Sequence, residues 1–518
     1  MGSKSVNITI QLNNTNGYKY KPLDIIRGRV FLRVYKEINI KDVIVNFYGT
    51  SRSQFYVIER RRNMDTGEME DERICKTETH TVAYDGCIIF PPPNVRSVSN
   101  NKAFTLTPGE YVYDFAFKIP LRNRCGTGKR TRGHGDTRLP PSMGITGVGS
   151  INYRVQVTIR RASRFRSNIE EYKYPNITCF DPIEDIISYA QPFSLRKSVV
   201  LSNQIHKRIA LTEKPTGPES YEIPMRKSTR KKSSHFIKSL FGSKEPPPKF
   251  AQEYDVPFVF EVECSSPILR INQAAPDLKI FLKSKYGPNT YRGIDNQTSG
   301  LGHFILEEFG IYLIGTYSVI AEDRSIQKRI SYRLTFKGNL SMNLDLADLE
   351  PNPLYGTAED SNPFQLEFPR FLYENATVPK GIKPTFDTCN IKVDYKLNIR
   401  ARFLEEQKGW YSKSVELFKP VSVITGVPAP QEYIEMKQIP PHLAQQVLET
   451  YPPEAFRRPD DFTPLYDDTT AAPASLNVEE TESVKQDEKQ KLDEHYSQAQ
   501  EPEESLPTYG SATKEHQR

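Results

Sequence analysis

A chain of 518 residues is too long for one hydrophobic core and implies about three folded units, or two and an unfolded extension. Its hydrophobic share of 37% falls below the roughly 45–50% usual for globular domains, so part of the chain is expected to stay unfolded. The 39 Pro, 28 Tyr and 27 Phe favour turns and aromatic strands over helix bundles, and a net charge of +6 is too mild to point to nucleic acid.

The opening Met1–Val6 lacks the apolar stretch of a signal peptide, and Val6 stands where a myristoylation signal wants Ser or Thr. No apolar run approaches the roughly 20 residues of a membrane helix, which leads to the expectation of a cytoplasmic protein. The cysteines Cys75, Cys87, Cys125, Cys179, Cys264 and Cys389 are scattered without any Cys-x-x-Cys pair. Reduced structural thiols are expected, with no disulfide framework, no metal site and no cofactor.

Along the chain, Val6, Ile8, Ile10 and Leu12 alternate with Asn7, Thr9 and Gln11, as a half-buried strand requires. Arg29–Tyr35 and a run carrying Val43, Val45 and Phe47 follow, then Tyr111–Lys118 and Ile151–Ile159, again with period two. From about Leu201 to Lys249 the composition turns to Lys, Ser and Pro, the mark of a linker or long insertion. Alternation returns at Phe258–Val262, Leu278–Leu282, Ile311–Ile320 and Ile330–Phe336. Its longest run places Ile391, Val393, Tyr395, Leu397, Ile399, Ala401 and Phe403 on one face, and a strand pair is expected at Val415–Phe418 and Val421–Ile424.

Short strands joined by irregular loops predict an all-β protein of two antiparallel β-sandwich lobes. The expected division is 1–200 for the first lobe, 201–250 for the basic linker, 251–427 for the second lobe, and 428–518 for a disordered tail with a short helix near His442–Thr450.

Four passages carry a resemblance to the arrestin family, specifically the fungal arrestin-related trafficking adaptors. The first hairpin, with Tyr20-Lys21-Pro22-Leu23-Asp24-Ile25-Ile26-Arg27-Gly28, resembles the family's Tyr-x-Pro-Gly-Asp-x-Ile-x-Gly, with Leu23 at a Gly position and one residue inserted before Gly28, so the turn is expected to be altered locally. Leu139-Pro140-Pro141-Ser142 ahead of the Tyr153-Arg154-Val155 strand resembles a second signature. Pro384-Thr385-Phe386 followed by Ile391–Leu397 resembles a third, in the second lobe, and the Pro-x-Tyr motifs of the tail complete the likeness.

The resemblance implies an adaptor rather than an enzyme. Its lobes would bind cytosolic tails of plasma-membrane transporters or receptors, and its own tail would recruit a HECT-type ubiquitin ligase through WW domains, so that cargo is ubiquitinated and endocytosed. The docking candidates are Leu506-Pro507-Thr508-Tyr509 and the weaker Thr463-Pro464-Leu465-Tyr466. A proline-rich segment is already close to the geometry a WW groove accepts, so docking costs little entropy. Asn352-Pro353-Leu354-Tyr355 has the same core but reads as a turn inside the second lobe.

The resemblance also implies ubiquitin attached covalently to the adaptor, with Lys118 a candidate acceptor. Arg226, Lys227, Arg230, Lys231 and Lys232, with Phe236, Ile237, Leu240 and Phe241 after them, suit a solvated linker or a patch for anionic lipids that phosphorylation would discharge. Transient recruitment to the plasma membrane or endosomes would follow. Arginines around Arg154 and Arg160 and the polar face Lys392–Arg402 suit acidic cargo, although sheet surfaces carry such charges in any case. Two other readings stand beside the adaptor: a signalling scaffold of the ambient-pH type, and an RNA-binding protein using the basic linker. Catalytic constellations are lacking. Cys125-Gly126-Thr127-Gly128-Lys129-Arg130 has Asn123 at the first Gly of a phosphate loop and Arg130 at its Ser/Thr, and His80 and His303 show no ligand spacing.

Overall fold

The computed structural model describes residues 5–456, apart from 205–252 and short segments at 15–16, 63, 65–66, 99–102, 124, 126–136, 164–165, 293–296, 357–359 and 405–411. Both docking motifs and the basic run lie outside the described residues.

In the first lobe the strand Ile25–Val34 lies between Val6–Leu12 and Gly109–Lys118, all antiparallel. A second sheet runs in the order Ile169–Lys173, Gly149–Arg161, Ile38–Arg62, Met69–Phe90. Every residue of Val6–Leu12 that alternation assigns inward is buried, and Asn7, Thr9 and Gln11 are exposed. The second lobe repeats the plan. Phe193–Gln204, Glu253–Cys264, Leu278–Ser284, Phe364–Glu367 and Glu350–Pro351 form one sheet. Ile268–Arg270, Ser412–Ile424, Ile391–Leu404, His303–Ala321 and Arg324–Lys337 form the other. One continuous buried cluster runs through both lobes, from Val6 to Val423.

The signature residues hold the two lobes by one shared device. In the first lobe the Tyr153 hydroxyl donates to the Pro140 carbonyl at 2.6 Å. Two residues on, Ser142 closes a reciprocal pair, donating its N–H to the Ile177 carbonyl at 2.8 Å and accepting the Ile177 N–H at its hydroxyl at 2.9 Å. In the second lobe the Tyr395 hydroxyl donates to the Lys383 carbonyl at 2.6 Å. Thr385, again two residues on, exchanges bonds with Val423 at 2.7 and 2.9 Å. A buried tyrosine must find a partner for its hydroxyl, so the proline-rich segment is tied to the core strand where the ring enters it.

Leu23 shows how the altered hairpin is accommodated. It adopts φ +76°, the left-handed conformation that a glycine would take without strain and that costs other residues about 1–2 kcal/mol. The Leu23 N–H donates to the Ile119 carbonyl at 2.9 Å, and the Asp24 carboxylate accepts from the Lys21 N–H and the Tyr18 hydroxyl at 2.9 and 3.0 Å. Gly28 answers to crowding instead, since a Cβ there would lie 2.5 Å from the Gln11 carbonyl oxygen and 2.6 Å from the Phe115 ring.

Three expectations differ from what is observed. Phe193–Gln204, mostly inside the expected first lobe, pairs along its length with Glu253–Cys264, so the chain crosses to the second lobe before residue 193. Its buried Val199 and Leu201 need the sheet that Val256, Phe258 and Phe260 supply. The strand pair at Val415–Ile424 is one strand, Ser412–Ile424, that runs through Pro420. Pro420 is accommodated because the parallel neighbour Ile268–Arg270 begins only at Ser422, so at Pro420 that flank of the strand carries no ladder. Beyond residue 428 the described chain is folded, with helices Gln431–Met436 and Pro441–Leu448.

Candidate functional site at the lobe junction

Two sets of polar groups fix the lobes against one another. The first is fully buried: Ser51 and Ser53, on the long Ile38–Arg62 strand, face Asn390 in the turn before Ile391–Leu404. The Ser51 hydroxyl donates to Asn390 Oδ1 at 2.6 Å, and Asn390 Nδ2 donates to the Ser51 carbonyl and Ser53 Oγ at 3.1 and 3.2 Å. Ser53 Oγ in turn donates to the Ile320 carbonyl at 2.6 Å. Buried polar groups are costly unless paired, and here the first lobe's groups are satisfied by the second. At the rim, Glu78 accepts the Glu322 N–H at 2.6 Å and Lys76 pairs with Glu322 at 3.0 Å.

The second set centres on Asp181, 1% exposed, in the connection after the first lobe. Its carboxylate accepts the Thr425 N–H and hydroxyl at 2.7 Å each, the Gly426 N–H at 2.8 Å and the Tyr451 hydroxyl at 3.0 Å. Burial raises the Asp181 carboxyl above the usual carboxylate range, while these donors favour its ionised form and check the rise. Burial likewise pushes the nearby Cys179 thiol up to about 12, which keeps it protonated and unreactive.

Tyr451 closes a helical segment that lies over this connection. Arg270 stacks on its ring at 4.3 Å and donates to the Thr450 carbonyl and hydroxyl at 3.1 and 2.6 Å. Tyr433 packs its ring on Phe180 at 4.7 Å and donates to Glu184. Arg138 grips Asp185 with both terminal guanidinium nitrogens, at 2.6 and 2.9 Å. Phe180, Ile183, Ile186, Tyr433, Val447 and Tyr451 build a small second core separate from the main one. The segment 431–456 is therefore a clasp across the lobe connection rather than the start of the tail.

This clasp escaped the sequence reading, although a trace of it is legible. Ala444, Val447 and Tyr451 recur at helical spacing behind Pro440-Pro441, where a short helix was expected. Nothing in the sequence marks Asp181.

Among the described residues the charged candidates fall at or near the surface. Lys118 ends its strand with its ammonium paired to Glu432 of the clasp, both about half exposed. Lys392 is paired with Asp387 and Asp394, Arg400 with Glu416, and Arg402 with Glu307 and Glu308. Three of the four basic residues on that strand face are thus paired with acidic neighbours. Arg154 stacks between Tyr48 and Tyr172 at 5.3 and 5.2 Å, and Arg160 is held by Asp42. Asn352–Tyr355 is a turn: the Asn352 side chain donates to Asp360 at 2.8 Å and accepts the Leu354 N–H at 3.1 Å. Among the described residues no helix is long and apolar enough to cross a membrane.

Residues 8–174 match the N-terminal domain of arrestin (or S-antigen), an extent that ends with the first lobe's edge strand Ile169–Lys173. The match covers about a third of the chain, and the all-β fold of antiparallel sheets is arrestin-like. Over 226 residues it is 25% identical to arrestin-related trafficking adapter 10 of Lachancea thermotolerans, covering 39% of this chain and 49% of that protein. Over 148 residues it is 26% identical to arrestin-related trafficking adapter 10 of Eremothecium gossypii, covering 26% and 33% respectively. The match thus spans about half the length of the first relative and a third of the second.

Proposed function

We propose that this chain, with its arrestin-like fold, is a trafficking adaptor that brings a HECT-type ubiquitin ligase to plasma-membrane transporters or receptors. The observation that carries the proposal is a two-lobed arrestin-like body followed by a tail with Leu506-Pro507-Thr508-Tyr509 and Thr463-Pro464-Leu465-Tyr466. WW domains take the Pro between two aromatic rings and the Tyr in a separate pocket. Two weak motifs on one chain raise each other's effective concentration, so tandem WW domains would be held more tightly than either motif alone allows.

The folded body has the roles of cargo reader and spacer. Lys118 is the proposed acceptor of ubiquitin. Its ion pair with Glu432 is exposed on both sides, and surface pairs of this kind are worth about 0–1 kcal/mol, too little to withhold the ammonium. Arg226, Lys227, Arg230, Lys231 and Lys232 would add affinity for anionic lipid at about 1 kcal/mol per residue near the surface. Recruitment to the plasma membrane or endosomes would be transient.

Proximity labelling in cells tests the proposal. Wild-type chain should mark both membrane transporters and a WW-containing ligase, and a chain ending before residue 460 should keep the transporters and lose the ligase. Equal ligase labelling by both would overturn it.

A further inference from the structure

His80, Cys125 and Cys389 lie far apart in sequence and show no ligand spacing, yet the fold brings them together where the lobes meet. One donor atom from each lies within 4.8 Å of the other two. His80 is 3% exposed and Cys125 and Cys389 are half-buried. His80 Nδ1 is 3.2 Å from Cys125 Sγ.

Each residue is delivered by a separate part of the scaffold. His80 sits directly opposite Ser51 in the long hairpin of the first lobe. Cys125 is held by its N–H, donated to Asn123 Oδ1 at 2.9 Å. Cys389 precedes Asn390, which is bonded into the first lobe through Ser51 and Ser53. The hub that joins the lobes therefore also sets the position of the second lobe's thiol.

Glu78 orients the imidazole. Its Oε1 is 2.7 Å from His80 Nε2, and its Oε2 accepts the Glu322 N–H from the second lobe. A carboxylate can only accept, so Nε2 carries a proton toward Glu78 and Nδ1 is the ring atom that faces the thiols. A carboxylate behind a histidine whose other nitrogen faces thiols is the usual outer arrangement of a metal-binding histidine. The Asn123 side-chain amide, 3.9 Å from Cys389 Sγ, supplies a further donor to a sulfur.

We propose that His80, Cys125 and Cys389 form a binding site for a borderline-soft divalent cation, zinc foremost, that ties the two lobes together. Zinc takes sulfur at about 2.3 Å and nitrogen at about 2.0–2.1 Å, so tetrahedral ligand atoms stand roughly 3.5–3.8 Å apart. The observed spacings need to change by no more than about 1 Å to meet that geometry, within the reach of side-chain rotation. Binding is balanced in charge: each thiol gives up a proton to solvent, the two thiolates neutralise the dication, and the imidazole stays neutral. Water completes the coordination. With His80 and Cys125 from one lobe and Cys389 from the other, metal binding is coupled to the relative placement of the lobes.

The test uses the full chain, expressed in zinc-supplemented medium, purified without a metal-affinity step and measured by mass spectrometry for bound metal. About one zinc per chain is expected, falling at least tenfold in the Cys125→Ser/Cys389→Ser variant with unchanged circular dichroism. Because that variant could misfold, cobalt is also titrated into metal-stripped wild-type chain. A thiolate-to-cobalt charge-transfer band that saturates at about one equivalent supports the site. Wild-type chain with neither zinc nor the cobalt–thiolate band would overturn it. So would a Cys125–Cys389 disulfide in peptide maps of chain purified under reducing conditions.

Discussion

Lys283→Met removes the centre of a buried charge cluster in the second lobe. The Lys283 ammonium, with no exposed side-chain surface, lies 2.7 Å from Asp360, 3.1 Å from Glu261 and 3.3 Å from Glu263. Glu261 and Asp360 are equally buried, and Arg196 supplies a second cation at 2.9 Å from Glu261 and 3.7 Å from Asp360. Two cations thus meet two buried carboxylates, with Glu263 partly in water. Methionine fills the volume of the lysine stem but leaves one buried negative charge uncompensated, a loss of about 3–5 kcal/mol. For a lobe of this size the melting temperature should fall on the order of 10 °C. Neutralising the orphaned charge, as Lys283→Met/Asp360→Asn, should recover most of the loss, because the two substitutions act on one interaction.

The same cluster predicts a pH dependence. Burial alone would raise the Asp360 carboxyl, but the hydrogen bonds from Lys283, the Asn362 N–H and Asn352 outweigh it and bring it from 3.8 to about 2. A carboxylate depressed in this way contributes stability above its unfolded value and loses it as pH falls through the folded one. Wild type should therefore lose about 2 kcal/mol relative to Asp360→Asn between about pH 5 and pH 2. Urea unfolding followed by far-ultraviolet circular dichroism reads both effects. A Lys283→Met loss below about 1 kcal/mol, with no recovery in the double variant, would refute the reasoning.

At Leu23, Gly should be more stable than Ala by about 1 kcal/mol in the same unfolding assay, the reverse of their usual order, because only Gly takes φ +76° without strain. Tyr451→Phe should cost about 1 kcal/mol, the worth of one hydrogen bond to Asp181. Asp181→Ala strands several buried donors at once and should cost about 3 kcal/mol or more. In both, hydrogen exchange should quicken in 431–456 before it does in the main sheets, and uniform quickening would contradict the clasp.

Much of the fold was legible because a half-buried strand writes its register into the sequence. Ile391, Val393, Tyr395, Leu397, Ile399, Ala401 and Phe403 are all buried, as their alternation requires. The lobe boundary was less so: Phe193–Gln204 alternates well enough to be a strand, but nothing in it names the sheet it joins. The clasp was hidden by its composition. Its Pro, Gln and Glu read as tail, while Tyr433, Val447 and Tyr451 find their apolar partners some 250 residues upstream, at Phe180 and Ile183. The meeting of His80, Cys125 and Cys389 is likewise a product of topology and leaves no local trace.

The most direct measurement is calorimetric titration of the full chain with a tandem WW-domain protein. Tyr509→Ala should weaken binding about tenfold or more, Tyr466→Ala less, and the double variant should not bind, as two linked motifs require. Undiminished binding by the Tyr466→Ala/Tyr509→Ala chain would contradict the adaptor mechanism at its centre.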